Sequence, residues 1–567
     1  MSETSAINRR ILKLALPNIL SNLTVPLLGI VDLTLSGHLE DAYAIGAIAI
    51  ATTMFNLIYW NFSFLRMGTT GLTAQSHGAG NHLAMGRNLT QSLLIALMGG
   101  VFILLLQQPI LNLTLLILKP EGGLISYATI YYDIVVWGAP AVLCTLALNG
   151  WLIGMQNTWY PMAVSIMTNV TNIAISACLV ILGGKGITGI ATGTLVAQWL
   201  GATSLLIGAY LLYFKKNRVS LPRKLEELKV GLRRYFGTNL HIFLRTILIS
   251  LISAFFTYAG STQGALILAA NALLYQAFTF FNNFVDGFAF AGEAIVGHYY
   301  GMKNRHLLTK SVKLLIVWGA AFALITSLLY FIISEPFLAF LTDKEEVINI
   351  AHNYLIWVYL LPVMGFLAFL YDGVFVGITA TREMLLSMLF AVAVFFALYF
   401  TLPLTDVNHN LWAAFVMYLL ARGGCQILMS RKMVGLGKPF EYVYTLSVGT
   451  TYLDSEEKIK NYLATEFPSS QFSRFYITDD ISEYSSRKYL NSVLRVESSL
   501  TLDEMIAKTK QIESQFGRKK EPSGDVALDI DVVLMDSQIL RNKDFNRDYF
   551  QIGYNEIKTI QYGQENY

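Results

Sequence analysis

A single carboxylate, Asp32, stands inside the apolar stretch NLTVPLLGIVDLTLSGH. An ionisable group in a long apolar run normally faces a cavity or a partner, because lipid solvates it poorly. Pro26 and Gly29 precede it, so the helix there can bend and leave carbonyl oxygens free beside the carboxylate. Such a group can hold a proton or ligate a sodium ion; a structural role, hydrogen-bonded to a neighbouring helix, is the plainer use. Further on, TNVTNIAIS carries Asn169, Asn172 and Ser176, the last two a helical turn apart, and Thr192 and Thr194 follow. Neutral oxygens at that spacing coordinate a cation or bridge helices. The second half has Arg245, Asn271, Asp286, Glu293 and Asp372. Asp286 and Glu293 lie two turns apart on one helix face, with Arg245 available as counter-charge. The set fits a gate, a proton relay or a static brace. Tyr275, Phe278, Phe280, Phe281 and Phe284 can line a pocket for flat or cationic molecules, or simply pack. Near the C-terminus, LDIDVVL points Asp529 and Asp531 to one face of a strand by its period of two. A carboxylate pair so placed can bind the magnesium of a nucleoside triphosphate.

The elements that must position these residues are of two kinds. The chain has 567 residues, 54% hydrophobic and only 14% charged, against about 25% charged in a soluble protein. Disorder is excluded, and an ordinary soluble enzyme does not fit. The charge is unevenly spread: 15 basic and 21 acidic residues lie from Pro439 to Tyr567, against 26 and 17 before them, and all eight Trp precede residue 439. A basic, charge-poor body therefore joins an acidic, charge-rich tail, two modules in different solvents. Twelve apolar stretches are long enough to span a bilayer. They lie near 11–36, 43–67, 88–118, 125–154, 160–183, 187–214, 236–260, 263–290, 308–341, 347–377, 383–404 and 409–430. The third, fourth, ninth and tenth are over-long, so tilt or extension beyond the bilayer is expected. The first is a span rather than a cleaved signal. Cys144, Cys178 and Cys425 are far apart within apolar runs, with no zinc or disulfide spacing, and are expected to be small buried hydrophobes.

Basic residues set the orientation. The connection KKNRVSLPRKLEELKVGLRR (215–234) holds eight, and Arg9, Arg10, Lys13, Arg87, Lys303, Arg305, Arg382 and Arg431 fall on the same side. Both termini and the acidic tail are therefore expected to be cytoplasmic, in the inner membrane. An internal repeat supports two halves. NGWLIGMQNT (149–158) matches DGVFVGITAT (372–381), and HGAGNH (77–82) matches YGMKNR (300–305) at the same offset. Six spans per copy make the copies parallel, related by an axis along the membrane normal. The expected fold is an all-α membrane bundle of twelve helices in two six-helix lobes, 1–214 and 236–433, joined by a basic linker, 215–235. A small α/β domain follows over 439–567.

Residues 8–433 resemble the multidrug and toxin extrusion (MATE) family, in its DNA-damage-inducible branch. The segments that carry the likeness are LALPNILSNLTVPLLGIVDLTLSGHL, NVTNIAIS, AANALLYQ, FVDGFAFAGEAIVG and YDGVFVGITATREM. The resemblance implies an antiporter that exports organic, often cationic, compounds on a proton or sodium gradient, its two lobes alternating between inward- and outward-open forms. It assigns Asp32, Asn172 and Thr194 to an ion-coupling site in the first lobe. Ser176 stands where the family has a second aspartate, which removes one carboxylate. The tail, through YTLSVGTTYLD, YLNSVLRVESSLTLDEMIAKTKQIESQFGR and ALDIDVVL, looks like hydroxymethyl-dihydropterin pyrophosphokinase, a ferredoxin-like α/β enzyme. That likeness makes Asp529 and Asp531 metal ligands, Asn491 a pterin contact, and Glu513 and Arg518 parts of a nucleotide site, with magnesium and ATP as ligands. It departs from the pattern at Gly449-Thr450-Thr451, at Val526 in place of an arginine, and in a missing Thr-Pro-Pro loop. Small organic substrates and the bilayer are the expected partners, with no nucleic acid. A membrane-tethered folate-pathway kinase and a lipid-precursor flippase are the alternative readings.

Overall fold

The structure, a computed structural model, describes residues 3–37, 43–118, 122–403, 406–434, 442–479, 487–500, 502–517, 525–535 and 538–564. The side chain of Asp32 and all of Arg518 lie outside the described residues. The chain divides into two compact units, Met1–Met302 with Lys310–Met433, and Lys303–Thr309 with Val434–Tyr567.

The first unit is helical throughout. Its elements are α1 (Glu3–Gly37), α2 (Tyr43–Asn61), α3 (Phe64–Gly78), α4 (His82–Leu105), α5 (Gln107–Leu118), α6 (Gly122–Val135), α7 (Ala139–Gly154), α8 (Trp159–Ala177) and α9 (Gly186–Ala209). After the linker, which folds a short α10 (Leu225–Lys229), come α11 (Leu232–Ser261), α12 (Ala265–Gly301), α13 (Arg305–Leu341), α14 (Glu345–His352), α15 (Leu355–Gly377), α16 (Thr381–Thr401) and α17 (Val407–Met433). Among the described residues, eleven helical stretches are long and apolar enough to cross a membrane, and the protein is a multi-pass membrane protein. Three of the over-long runs are interrupted along their length. The third breaks at Leu106, the fourth passes through a 3-10 turn at Val136–Gly138, and the tenth turns at Asn353 and Tyr354. The ninth is one continuous helix with Pro336 inside it. The eighth extends to Gly301, beyond the expected 290, because its polar residues find partners on other helices. Cys178 is exposed rather than buried; it opens a π-turn beside the exposed apolar Ile181 and Leu182, a surface suited to lipid.

The repeat is visible in the backbone. Gln156 and Thr379, which occupy matching places in the two copies, both adopt left-handed φ, +61° and +56°. So do Gly80 and Lys303, at +65° and +57°. Asn81 and Asn304 each cap the helix that follows, accepting from Ala84 N and Leu307 N at 2.9 Å.

The second unit is a small α/β domain around an antiparallel sheet. Its strands are β1 (Tyr442–Thr450), β2 (Gln471–Phe472), β3 (Tyr476–Asp479), β4 (Lys488–Ser498), β5 (Asp529–Met535) and β6 (Gln538–Ile539), in the order β2-β4-β1-β5-β6 with β3 also on β4. Alternation along β1 and β5 sends Leu446, Val448, Ile530 and Val532 into a core with Ile459, Leu463, Met505 and Ile512 of α18 (Glu456–Glu466) and α19 (Leu502–Gln515). Val493 and Val533 pack with Phe550 and Ile557 of a C-terminal helix, Asp548–Gln564, on the other face.

Candidate functional site: paired charges within the bundle

In the first half of the bundle, Asn172 and Ser176 of α8 face Thr194 of α9. The Asn172 amide donates to Thr194 Oγ1 at 3.2 Å, and the Ser176 hydroxyl donates to Asn172 Oδ1 at 3.2 Å. Ser176 is packed so closely that a Cβ on Gly193 would collide with it. Three of the four residues expected in the ion-coupling site are thus one hydrogen-bonded cluster. The fourth, Asp32, is on α1, which packs against α8. Asn169 joins the same two helices by donating to Thr24 Oγ1 at 2.9 Å. Thr192 bonds back to Thr188 O on its own helix.

The five polar residues expected to act together in the second half fall into separate groups. Asp372 of α15 is buried between two guanidinium groups, Arg245 of α11 and Arg422 of α17, and accepts from the Gln426 amide at 2.8 Å. Arg245 therefore pairs directly with Asp372, and acts on Asp286 and Glu293 as a more distant counter-charge. Asn271 takes no part in this; it exchanges hydrogen bonds with Asn408 at 2.7 and 3.0 Å and accepts from the Trp412 indole at 2.8 Å. Glu293 forms a two-pronged pair with Arg66 of α3, at 3.0 and 3.2 Å. Asp286 lies within electrostatic reach of Arg66, Arg245, Glu293 and Arg422. Sequence reasoning missed Arg422, Gln426 and the Arg66–Glu293 pairing. An arginine inside the apolar LLARGGCQ was the available signal for Arg422. The aromatic group is mainly packing: Phe281 is fully buried against Phe322 and Phe369, Phe278 meets Phe369 and Phe415, and Phe280 is exposed.

In the C-terminal domain, Asn491, Gly449 and Asp529 lie side by side on β4, β1 and β5. Asn491 donates to Thr478 Oγ1 at 2.8 Å. Glu513 accepts from Ile530 N at 2.8 Å, a brace between α19 and β5 rather than an open ligand position. Asp531 pairs with Arg541 at 2.5 Å, and Arg541 also reaches Asp544 at 3.6 Å. Burial, reinforced by Asp529, pushes the Asp531 carboxyl up to about 6 even with Arg541 beside it. A guanidinium thus sits on one of the two carboxylates expected to hold metal. Among the described residues, no group of three or more His, Cys, Asp or Glu side chains could hold a metal ion.

These features define a polytopic carrier built of two like halves with charges held inside. The MatE family model matches residues 17–178 and 242–401, and the chain belongs to the multidrug and toxin extrusion family. It is 37% identical over 418 residues to DNA damage-inducible protein F of Escherichia coli, covering 72% of this chain and 89% of that protein. It is 25% identical over 366 residues to a probable multidrug resistance protein, NorM, of Thermotoga maritima, covering 62% and 75%. Among solved structures, an outward-facing multidrug resistance MATE family transporter superposes with a TM-score of 0.68 at 17% identity, over 77% of this chain and 99% of that one. A MOP superfamily transporter from Pyrococcus furiosus gives 0.67 at 19%, over 76% and 96%. A second model, that of 7,8-dihydro-6-hydroxymethylpterin-pyrophosphokinase, matches residues 445–559.

Proposed function

We propose that the protein is a cation-coupled antiporter of the cytoplasmic membrane, exporting organic, often cationic, compounds by alternating access between two six-helix lobes. The observation that carries this reading is the backbone geometry repeated at matching places of the two halves, within a chain of this family. Like halves of this kind can rock about a shared seam. Asp32, with Asn172, Ser176 and Thr194, is assigned the coupling proton or sodium ion, and both termini are assigned to the cytoplasm. The flippase reading loses support, since Arg66, Arg245 and Arg422 are already paired with carboxylates and are not free to take a pyrophosphate. For the C-terminal domain, the strand order β2-β4-β1-β5 supports a ferredoxin-like fold. The pyrophosphokinase likeness supports a magnesium-bound nucleotide at Asp529 and Asp531, with Arg541 displaced from Asp531 when such a ligand is held. Binding rather than phosphoryl transfer is the favoured role, given Val526 and the altered turn after Gly449.

The test is transport in sealed vesicles with an imposed sodium or pH gradient. Asp32→Asn should abolish gradient-driven efflux while leaving expression and folding intact, and undiminished efflux in that variant removes the assignment.

A further inference from the structure

We infer that Arg66 and Glu293 form a gate: the ion pair at the inner end of the inter-lobe seam, which must part each time the carrier opens on the side of the α3 and α12 C-termini. The inference rests on the two-lobe reading above and deepens it. Arg66 belongs to the first repeat and Glu293 to the second, and the pair is nearly closed to solvent, with 14% and 2% of the side chains exposed. The Arg66 guanidinium also lies 3.8 Å from the centre of the Phe290 ring. Each partner is held rigidly by its own lobe. A Cβ on Gly150 of α7 would strike Arg66 O, and a Cβ on Gly373 of α15 would strike Ala289 O, one helical turn before Glu293. These contacts are repeat-equivalent: the offset that carries Gly150 onto Gly373 also carries Arg66 onto Ala289.

From this pair to the helix ends the lobes are in direct contact. A Cβ on Gly78 would strike His298 O, one on Gly301 would strike Gln75 O, and one on Gly71 would strike Val376 O. The Gln75 amide donates to Gly377 O at 2.8 Å, and the His77 and His298 rings stand 5.0 Å apart. Arg66 is about 18 Å along α3 from Gly78 and Glu293 about 12 Å along α12 from Gly301, at about 1.5 Å per residue. In a hydrocarbon core of about 30 Å, the pair lies near mid-depth, and close packing fills the seam between it and one face, with Arg10 and Arg234 bonding to residues of both halves there. A buried ion pair is costly to separate in a dry interface and far less so once water enters. Opening the seam admits that water, so hydration and separation of the pair are one event. The Arg245–Asp372–Arg422 cluster differs in kind, because all of its members belong to the second lobe and no rocking motion need part them.

The test uses the full chain reconstituted in lipid, with hydrogen–deuterium exchange read over residues 66–78 and 290–301 and efflux of a fluorescent organic cation measured in parallel. Arg66→Gln and Glu293→Gln should each speed exchange in both segments by about tenfold or more, as expected when a buried pair is broken. Arg66→Lys should stay near the native rate. The exchanged pair Arg66→Glu with Glu293→Arg should recover most of the protection. Thermal unfolding separates a folded variant from a damaged one, and the lysine variant preserves the test if a glutamine variant does not fold. Native exchange in both glutamine variants, or a reversed pair no better protected than the single variants, overturns the gate. Altered exchange without efflux of any compound tried, in native protein as well, leaves the gate standing and removes the exporter reading instead.

Discussion

Asp531 shows how far a single group can be read at the residue scale. Its carboxyl titrates at about 6 in the folded domain against an ordinary 3.8, through burial first and Asp529 second, partly offset by Arg541. Because the folded-state value is raised, folding takes up a proton between roughly pH 4 and 6, and the ionised group disfavours the fold above that window. The C-terminal domain should therefore gain stability as pH falls from 7 to 5. Asp531→Asn should raise its unfolding midpoint at pH 7 and flatten that part of the profile, measured by scanning calorimetry on the full chain. An unchanged profile in the variant would contradict the assignment. The types of the chemically active residues were legible in the sequence, and their partners much less so. Glu293 and Asp372 stand out as charges in apolar runs, but Arg66 lies 227 residues from Glu293 and Arg422 lies 50 from Asp372. No local periodicity links such pairs. Ser176 and Asn172 were easier, being one turn apart on a single helix.

Hydropathy finds apolar length at the scale of elements, and eleven of the twelve expected spans recur as long apolar helices among the described residues. It does not find breaks inside apolar runs, because the turns at Leu106 and Asn353 interrupt the backbone without interrupting the lipid-compatible surface. Nor did it find the last turns of α12, which carry the polar Glu293 and His298 past the expected end of the span at 290. The crossing of α3 and α12 depends on glycine at two places. Gly78→Ala and Gly301→Ala each put a methyl group against a carbonyl of the opposite helix, a contact that only backbone movement relieves. Each should lower the thermal midpoint of the membrane unit, at a cost of about 1–3 kcal/mol. Gly237→Ala, where a Cβ meets nothing within 4 Å, should leave it in place. Equal effects at all three positions in a detergent melting series would show that the crossing is not tightly packed.

At the scale of the whole molecule, the chain joins a charge-poor helical unit to a charge-rich α/β unit with its own core. Each unit is a compact body, and the first is expected not to need the second. A chain ending at Gly437 is expected to insert and to retain gradient-driven efflux within about twofold of the full protein, the span expected when few contacts cross a boundary. Loss of the bundle in mild detergent after truncation would make the tail an integral part of the carrier. The doubled turns lead elsewhere. Gly80 and Lys303 hold the same left-handed backbone, one with a residue suited to it and the other without. A shape can therefore outlast the side chain that favours it, and kinship between the two halves is better traced through torsion angles and caps than through letters.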